Sequence, residues 1–137
     1  MALFYADTSA LVKLVRAEPE SAALRAYLAD EGLVCCELVL TELPRAIRRA
    51  AADDPRLPLE RMLRRAGELL DAVALLPLDR TLLIRAGSLP EPAPRTLDAI
   101  HVAAAVDVSP IDAFVSYDER QAAVARLNGL RTVAPGA

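Results

Sequence analysis

The chain has 137 residues, 54% of them hydrophobic and only 4% aromatic, with a formal net charge of -3 from 16 basic and 19 acidic side chains. That length suits a single domain over 1–137 that buries roughly two thirds of the surface its unfolded chain exposes, and the apolar content excludes a disordered chain, which combines low hydrophobicity with high net charge. The mild negative charge excludes a global pull towards nucleic acid; with no basic-then-apolar leader pattern and no apolar run of about 20 residues, a cytoplasmic protein is expected.

Residues 3–6 are a short apolar run ending at Asp7, which reads as a buried strand. Ser9 is placed to cap a helix carrying Ala10, Leu11, Val12, Leu14 and Val15. Pro19 ends or restarts that helix, and 20–29 fit a second, with Leu24 and Leu28 one turn apart. Gly32 breaks the pattern before a strand over 33–36. Its adjacent Cys35 and Cys36 read as small buried hydrophobes, because neighbouring cysteines rarely meet disulfide geometry. A helix is expected over 37–52. Pro44 lacks an N–H and crowds the preceding turn, so this helix either starts late with Thr41 as its cap or runs kinked through Pro44.

A turn over 53–58 leads into a helix over 59–72, then a strand over 73–77 and a helix capped by Asp79. Pro90, Pro92 and Pro94 make 88–95 a stiff loop. Thr96 is placed to cap a helix over 97–106 that is apolar on nearly every side, hence central and packed against a sheet. A strand over 113–116 follows, and Asp118 opens a helix that stops at Asn128-Gly129. Residues 131–133 form a last strand, and the tail Pro135-Gly136-Ala137 is expected to fray. Short apolar strands alternating with helices predict a layered α/β domain around a mainly parallel sheet.

In open α/β sheets ligands gather beyond the carboxyl ends of the strands. Asp7 and Asp118 follow strands, Asp98 opens the most apolar helix, and Glu42 sits between Leu40 and Leu43. Converging carboxylates resist ionisation unless a divalent cation removes the conflict. Oxygen donors select hard ions such as Mg2+ or Mn2+. One such ion, or two about 3.5–4 Å apart, can activate water and steady a phosphodiester. Each acid also has a purely structural reading. Asp118 with Gln121 matches a capping box, Asp98 suits a first helical turn, Asp7 a turn, and Glu42 a solvated helix face. His101 shares a helix face with Asp98 and reads first as a packed or hydrogen-bonded histidine, with metal or phosphate contact as the alternative. Asp107 reads as surface or a helix end, and Asp112 is ambiguous. Ser9 and Ser116 can position a water or ligate weakly. Arg45, Arg48 and Arg49, then Arg61, Arg64 and Arg65, form two basic helical clusters that either line an RNA groove or are solvated faces.

The stretches Asp7-Thr8-Ser9-Ala10-Leu11-Val12-Lys13-Leu14, Leu40-Thr41-Glu42-Leu43, Thr96-Leu97-Asp98-Ala99-Ile100-His101 and Phe114-Val115-Ser116-Tyr117-Asp118 occur in that order. Together they resemble PIN-domain ribonucleases, and most closely the VapC toxins of bacterial toxin–antitoxin pairs, over essentially the whole chain. The resemblance implies a three-layer α/β/α sandwich around a parallel sheet and cleavage of structured cellular RNA at a phosphodiester bond. It implies Asp7, Glu42, Asp98 and Asp118 as the acidic cluster for Mg2+ or Mn2+, with Ser9 at a small-hydroxyl position and Ser116 where threonine is also common. It further implies a homodimer and a VapB-like antitoxin that wraps the toxin and reaches the acidic groove. Two rival readings are a non-catalytic RNA- or protein-binding module, tolerant of neutral substitutions at all four acids, and a Mg-binding receiver-like phosphate-handling domain, for which no acceptor aspartate with a late lysine is found. A haloacid-dehalogenase-type phosphatase is weaker still, because Ser9 stands where it needs a second aspartate.

Overall fold

The computed structural model describes residues 1–92 and 94–137; Ala93, in the expected stiff loop, lies outside the described residues. The elements run β1 (Leu3–Ala6), α1 (Thr8–Val15), α2 (Ser21–Leu28), β2 (Gly32–Cys36), α3 (Val39–Asp53), α4 (Leu59–Ala72), β3 (Ala74–Leu76), α5 (Arg80–Gly87), α6 (Thr96–Val108), β4 (Ala113–Val115), α7 (Glu119–Leu127) and β5 (Thr132–Val133). The strands pair entirely in parallel, in the order β3-β2-β1-β4-β5. The chain therefore walks outward from β1 to β3, then crosses to the other side of β1 for β4 and β5. The winding reverses between β1 and β4, and at such a switch point the connections leaving two neighbouring strands part and open a crevice at their carboxyl ends.

Helices α1 to α4 pack among themselves, as do α5 to α7, which makes the layered α/β/α sandwich expected from the sequence. Successive residues of a strand face opposite sides, and β1 shows it directly. Phe4 meets Tyr27 of α2, with ring centroids 5.0 Å apart. Tyr5 points the other way, towards His101 of α6, and stacks on its register partner Phe114 at 5.3 Å and 4°. Ala99 through Ala105 of α6 are all buried, and the small alanines let this helix approach the sheet closely. The core is completed by Leu11, Leu24, Leu43 and Ile47, which are almost wholly shielded; burying a side chain of that size contributes about 1.5–3 kcal/mol.

Three local expectations need correction, and one open alternative is decided. Asp7, not Ser9, caps α1, its side chain accepting the N–H of Ala10. Thr96 is the first residue of α6, and Arg95 precedes it without a side-chain cap. Helix α3 begins at Val39 and continues through Pro44, so the late start capped by Thr41 is not adopted; burial of Val39, Leu43 and Ile47 on one face offsets the missing bond. The tail is tied down, because the Tyr117 hydroxyl donates to the Pro135 carbonyl at 2.7 Å. Among the described residues no helix is long and apolar enough to cross a membrane.

Candidate active site

The two strands flanking the switch point each deliver an acid. Asp7 leaves β1, and Ser116, Tyr117 and Asp118 leave β4. Glu42 lies in the first turn of α3 and Asp98 in the first turn of α6. All four acids line one cleft of about 430 Å3, together with Thr8, Ser9, Thr41, Arg45, Arg49, His101 and Gln121. An adjoining lobe adds Arg95 and Arg120 beside Glu42, Asp98 and Asp118.

Asp7 is 2% exposed. Its Oδ2 accepts from the Ser116 hydroxyl at 2.5 Å, and its Oδ1 from the Ser9 hydroxyl at 2.6 Å and from the Ala10 N–H at 3.1 Å. Burial pushes this carboxyl above the usual range, and the Ser116 and Ser9 hydroxyls pull it part of the way back. The same serines also accept from the turn after β4: Ser9 across the crevice from the Tyr117 N–H at 2.9 Å, Ser116 within its own turn from the Asp118 N–H at 3.1 Å. Ser9 and Ser116 thus clamp the turn after β1 to the turn after β4.

Asp118 caps α7 and lines the cleft at once, its Oδ1 accepting from the N–H groups of Arg120 and Gln121. The capping box closes in one direction only. Ser116 takes the Asp118 N–H that Gln121 would have served, and Gln121 is buried with Nε2 unpaired among the described residues. Asp98 is half-buried; burial, then the nearby Asp118 charge, raise its pKa.

Glu42 has the opposite balance. Burial pushes its pKa up, but hydrogen bonds from His101 and Thr8 and the charge of Arg49 bring it below the usual value. Oε1 accepts from His101 Nε2 at 2.5 Å and from the Thr8 hydroxyl at 2.7 Å. His101 Nδ1 lies 2.8 Å from the Tyr5 hydroxyl. Burial lowers the His101 pKa, yet Cys36 and Glu42 outweigh it and hold the ring at about 10. His101 is therefore the packed, hydrogen-bonded histidine of the first reading, and its partner is one of the four acids.

Among the described residues no three of the carboxylates bring their oxygens within 4.8 Å of one another, whereas Cys35, Cys36 and His101 bring their ligand atoms that close, fully buried behind the cleft. Asp7, Glu42 and Asp118 are each turned onto protein donors of their own, as repelling charges should be. Cys35 and Cys36 are buried in a strand as expected.

The PIN domain family profile matches residues 4–127. The chain belongs to the PIN-domain family. Ribonuclease VapC35 of Mycobacterium tuberculosis is 37% identical to it over 98% of both chains. Ribonuclease VapC46 of the same organism is 38% identical over 98% of this chain and 99% of its own. Among solved structures, Mycobacterium tuberculosis VapC20, a sarcin-ricin loop cleaving toxin, has a TM-score of 0.71 at 18% identity, covering 96% of this chain and 99% of that one. VapBC2 from Rickettsia felis, bound to a DNA fragment from its promoter, has a TM-score of 0.67 at 12% identity over 97% and 98%. At these identities the two structures show a shared fold.

Within this PIN domain the arginines sort by helical phase. At 100° per residue, Arg45 and Arg49 fall on the Glu42 side of α3 and line the cleft, whereas Arg48 turns away and is absent from its lining. Arg61, Arg64 and Arg65 are exposed on α4 and line neither lobe. Arg95 and Arg120 had no signal in the sequence, because only the fold brings them together. Asp112 is exposed and accepts the Leu3 N–H at 2.7 Å, which puts it at the amino end of β1, away from the cleft. Asp107 pairs with Arg85 at 3.5 Å.

Proposed function

We propose that this PIN-domain chain is a metal-dependent endoribonuclease that acts as the toxin of a type II toxin–antitoxin pair. The observation that carries the reading is the convergence of Asp7, Glu42, Asp98 and Asp118 on one cleft at the β1/β4 switch point, in a chain whose full-length relatives are named ribonucleases. Arg45 and Arg49 on the rim carry no salt bridge among the described residues and suit the phosphates of an RNA strand.

The donor set fits a hard cation. The cleft offers carboxylates and hydroxyls, and the raised pKa values of Asp7 and Asp98 mark charge that a cation would relieve. Mg2+ keeps several waters and takes only one or two carboxylates directly, which suits acids that stand apart. Asp7, Glu42, Asp98 and Asp118 would hold Mg2+ or Mn2+. When bound, such an ion supplies positive charge for the phosphodiester and acidifies water. Arg45 and Arg49 orient the strand by its phosphates. Ser9 and Ser116 keep the Asp7 carboxylate aimed. Asp118 holds the start of α7 against the site while its remaining oxygen is free to receive a ligand.

The substrate class is structured cellular RNA, as for VapC20, which cleaves the sarcin-ricin loop. The partners are a VapB-like antitoxin, in line with the VapBC2 complex, and a second copy of the chain in the cytoplasm. Exposed Leu83, Ile84 and Val106 on α5 and α6 support an apolar partner surface. The test is end-mapped cleavage of total cellular RNA by purified wild type and Asp98→Asn, each with Mg2+, Mn2+ or chelator. Discrete cuts that need metal and vanish in Asp98→Asn are expected. Equal cutting by Asp98→Asn, or none by folded, metal-supplied wild type on any cellular RNA, defeats the proposal.

A further inference from the structure

We infer that His101, held from the core by Tyr5, is a positioning residue that fixes the Glu42 carboxylate with Oε1 occupied and Oε2 left for a cation. This rests on the assignment of Glu42 to the metal-holding cluster. Glu42 is part-exposed in the cleft, with 21% of its side chain accessible, whereas His101 behind it is 2% accessible.

An ionised carboxylate only accepts hydrogen bonds. His101 Nε2, 2.5 Å from Glu42 Oε1, must therefore carry a proton whether the ring is neutral or charged. The Thr8 hydroxyl donates to the same oxygen at 2.7 Å. Oε1 is thus met from α6 and from α1, and Oε2 has no donor among the described residues. Turning the carboxylate would break both bonds and leave a buried donor without an acceptor.

The imidazole is in turn immobilised. Nδ1 lies 2.8 Å from the Tyr5 hydroxyl. That hydroxyl also receives the Cys36 N–H at 3.3 Å. The fully buried Tyr5 ring stacks on Phe114 and meets His101 edge-on at 5.9 Å. A chain of contacts thus runs from the sheet (Tyr5, Phe114, Cys36) through α6 to a single oxygen in the cleft. Groups that orient ligands in this way typically change metal affinity by about 10–100-fold when removed. Of Tyr5, His101 and Glu42, the nearest in sequence, Tyr5 and Glu42, are 37 residues apart, so no local motif announces their relay.

The experiment measures Mn2+ affinity of the full chain by EPR of the free ion, beside circular dichroism and thermal melts. His101→Leu should bind Mn2+ about 10–100-fold more weakly than wild type. Tyr5→Phe, which removes one buried oxygen, should fall between them, and His101→Gln, whose amide can donate to Glu42, should recover most of the loss. In a Glu42→Gln background, adding His101→Leu should change the affinity by less than about twofold, the limit for non-interacting sites. A purely structural histidine would show the same loss in both backgrounds, and that result overturns the inference. So does wild-type affinity in folded His101→Leu, or in folded Tyr5→Phe should His101→Leu not fold. A wild-type chain that binds no Mn2+ overturns the metal reading itself, and the inference with it.

Discussion

Replacing Ser116 by alanine tests how the switch point is held together. Ser116 is 3% exposed, and its hydroxyl donates to Asp7 Oδ2 at 2.5 Å and receives the Asp118 N–H at 3.1 Å. A hydrogen bond to a charged group is worth about 1.5–3 kcal/mol, and the Asp7 carboxylate has almost no water to replace it. At roughly 3–5 °C per kcal/mol for a chain of this length, Ser116→Ala should lower Tm by about 5–15 °C at pH 7 without metal. The deficit has a defined pH dependence. Ser116 is the largest influence pulling the Asp7 pKa down, so its contribution is present while Asp7 is ionised and is lost as pH falls through the Asp7 pKa. Ser116→Thr keeps the hydroxyl and should melt near wild type. Scanning fluorimetry from pH 4 to pH 8 reads all of this. A Tm for Ser116→Ala equal to wild type at pH 7, or a deficit that is unchanged in acid, would refute the reasoning, the latter by assigning the effect to packing.

Asp98→Asn should raise the Tm of the metal-free chain at neutral pH. The Asp98 pKa is raised by burial and by Asp118, so its ionisation costs stability as pH rises through the folded-state value; a lower Tm for the variant would contradict this. Phe114→Ala removes a fully buried ring stacked on Tyr5 and should cost about 3–5 kcal/mol in urea unfolding; a cost under about 1 kcal/mol, the size of a tolerated core swap, would mean that the core does not depend on it. Arg45→Gln with Arg49→Gln, in an Asp98→Asn background, should weaken RNA binding and reduce the salt slope by about 1.4 units at 0.7 per contact with single strands. Arg48→Gln should change neither quantity, and an equal effect from Arg48 would sink the groove assignment.

Much of the fold was legible because local rules and tertiary demands agreed. Helix α4 occupies Leu59–Ala72 as the periodicity of Met62, Leu63, Leu69 and Leu70 predicts, and Asp79 and Asp118 cap their helices. Acids at strand ends pointed to the crevice because a parallel sheet gathers ligands there. The misses and the alternatives left open occurred where two local options were nearly equal. Asp7 and Ser9 are both good caps; Asp7 prevails because the chain leaves the sheet at that residue, its N–H still bonded to the Val115 carbonyl at 3.2 Å. Pro44 is locally unfavourable inside a helix, and only burial of Leu43 and Ile47 against the rest of the protein reverses that. The Tyr5–His101–Glu42 chain joins residues 96 and 59 positions apart, and periodicity says of such residues only that they are inside.

The most direct test is an anomalous difference map of crystals soaked in Mn2+. The reading of Asp7, Glu42, Asp98 and Asp118 as one cation site predicts a peak in the β1/β4 crevice, within coordinating distance of Glu42 Oε2 and at least one of the aspartates. A map without a peak there, or with its only peak among Cys35, Cys36 and His101, would contradict it.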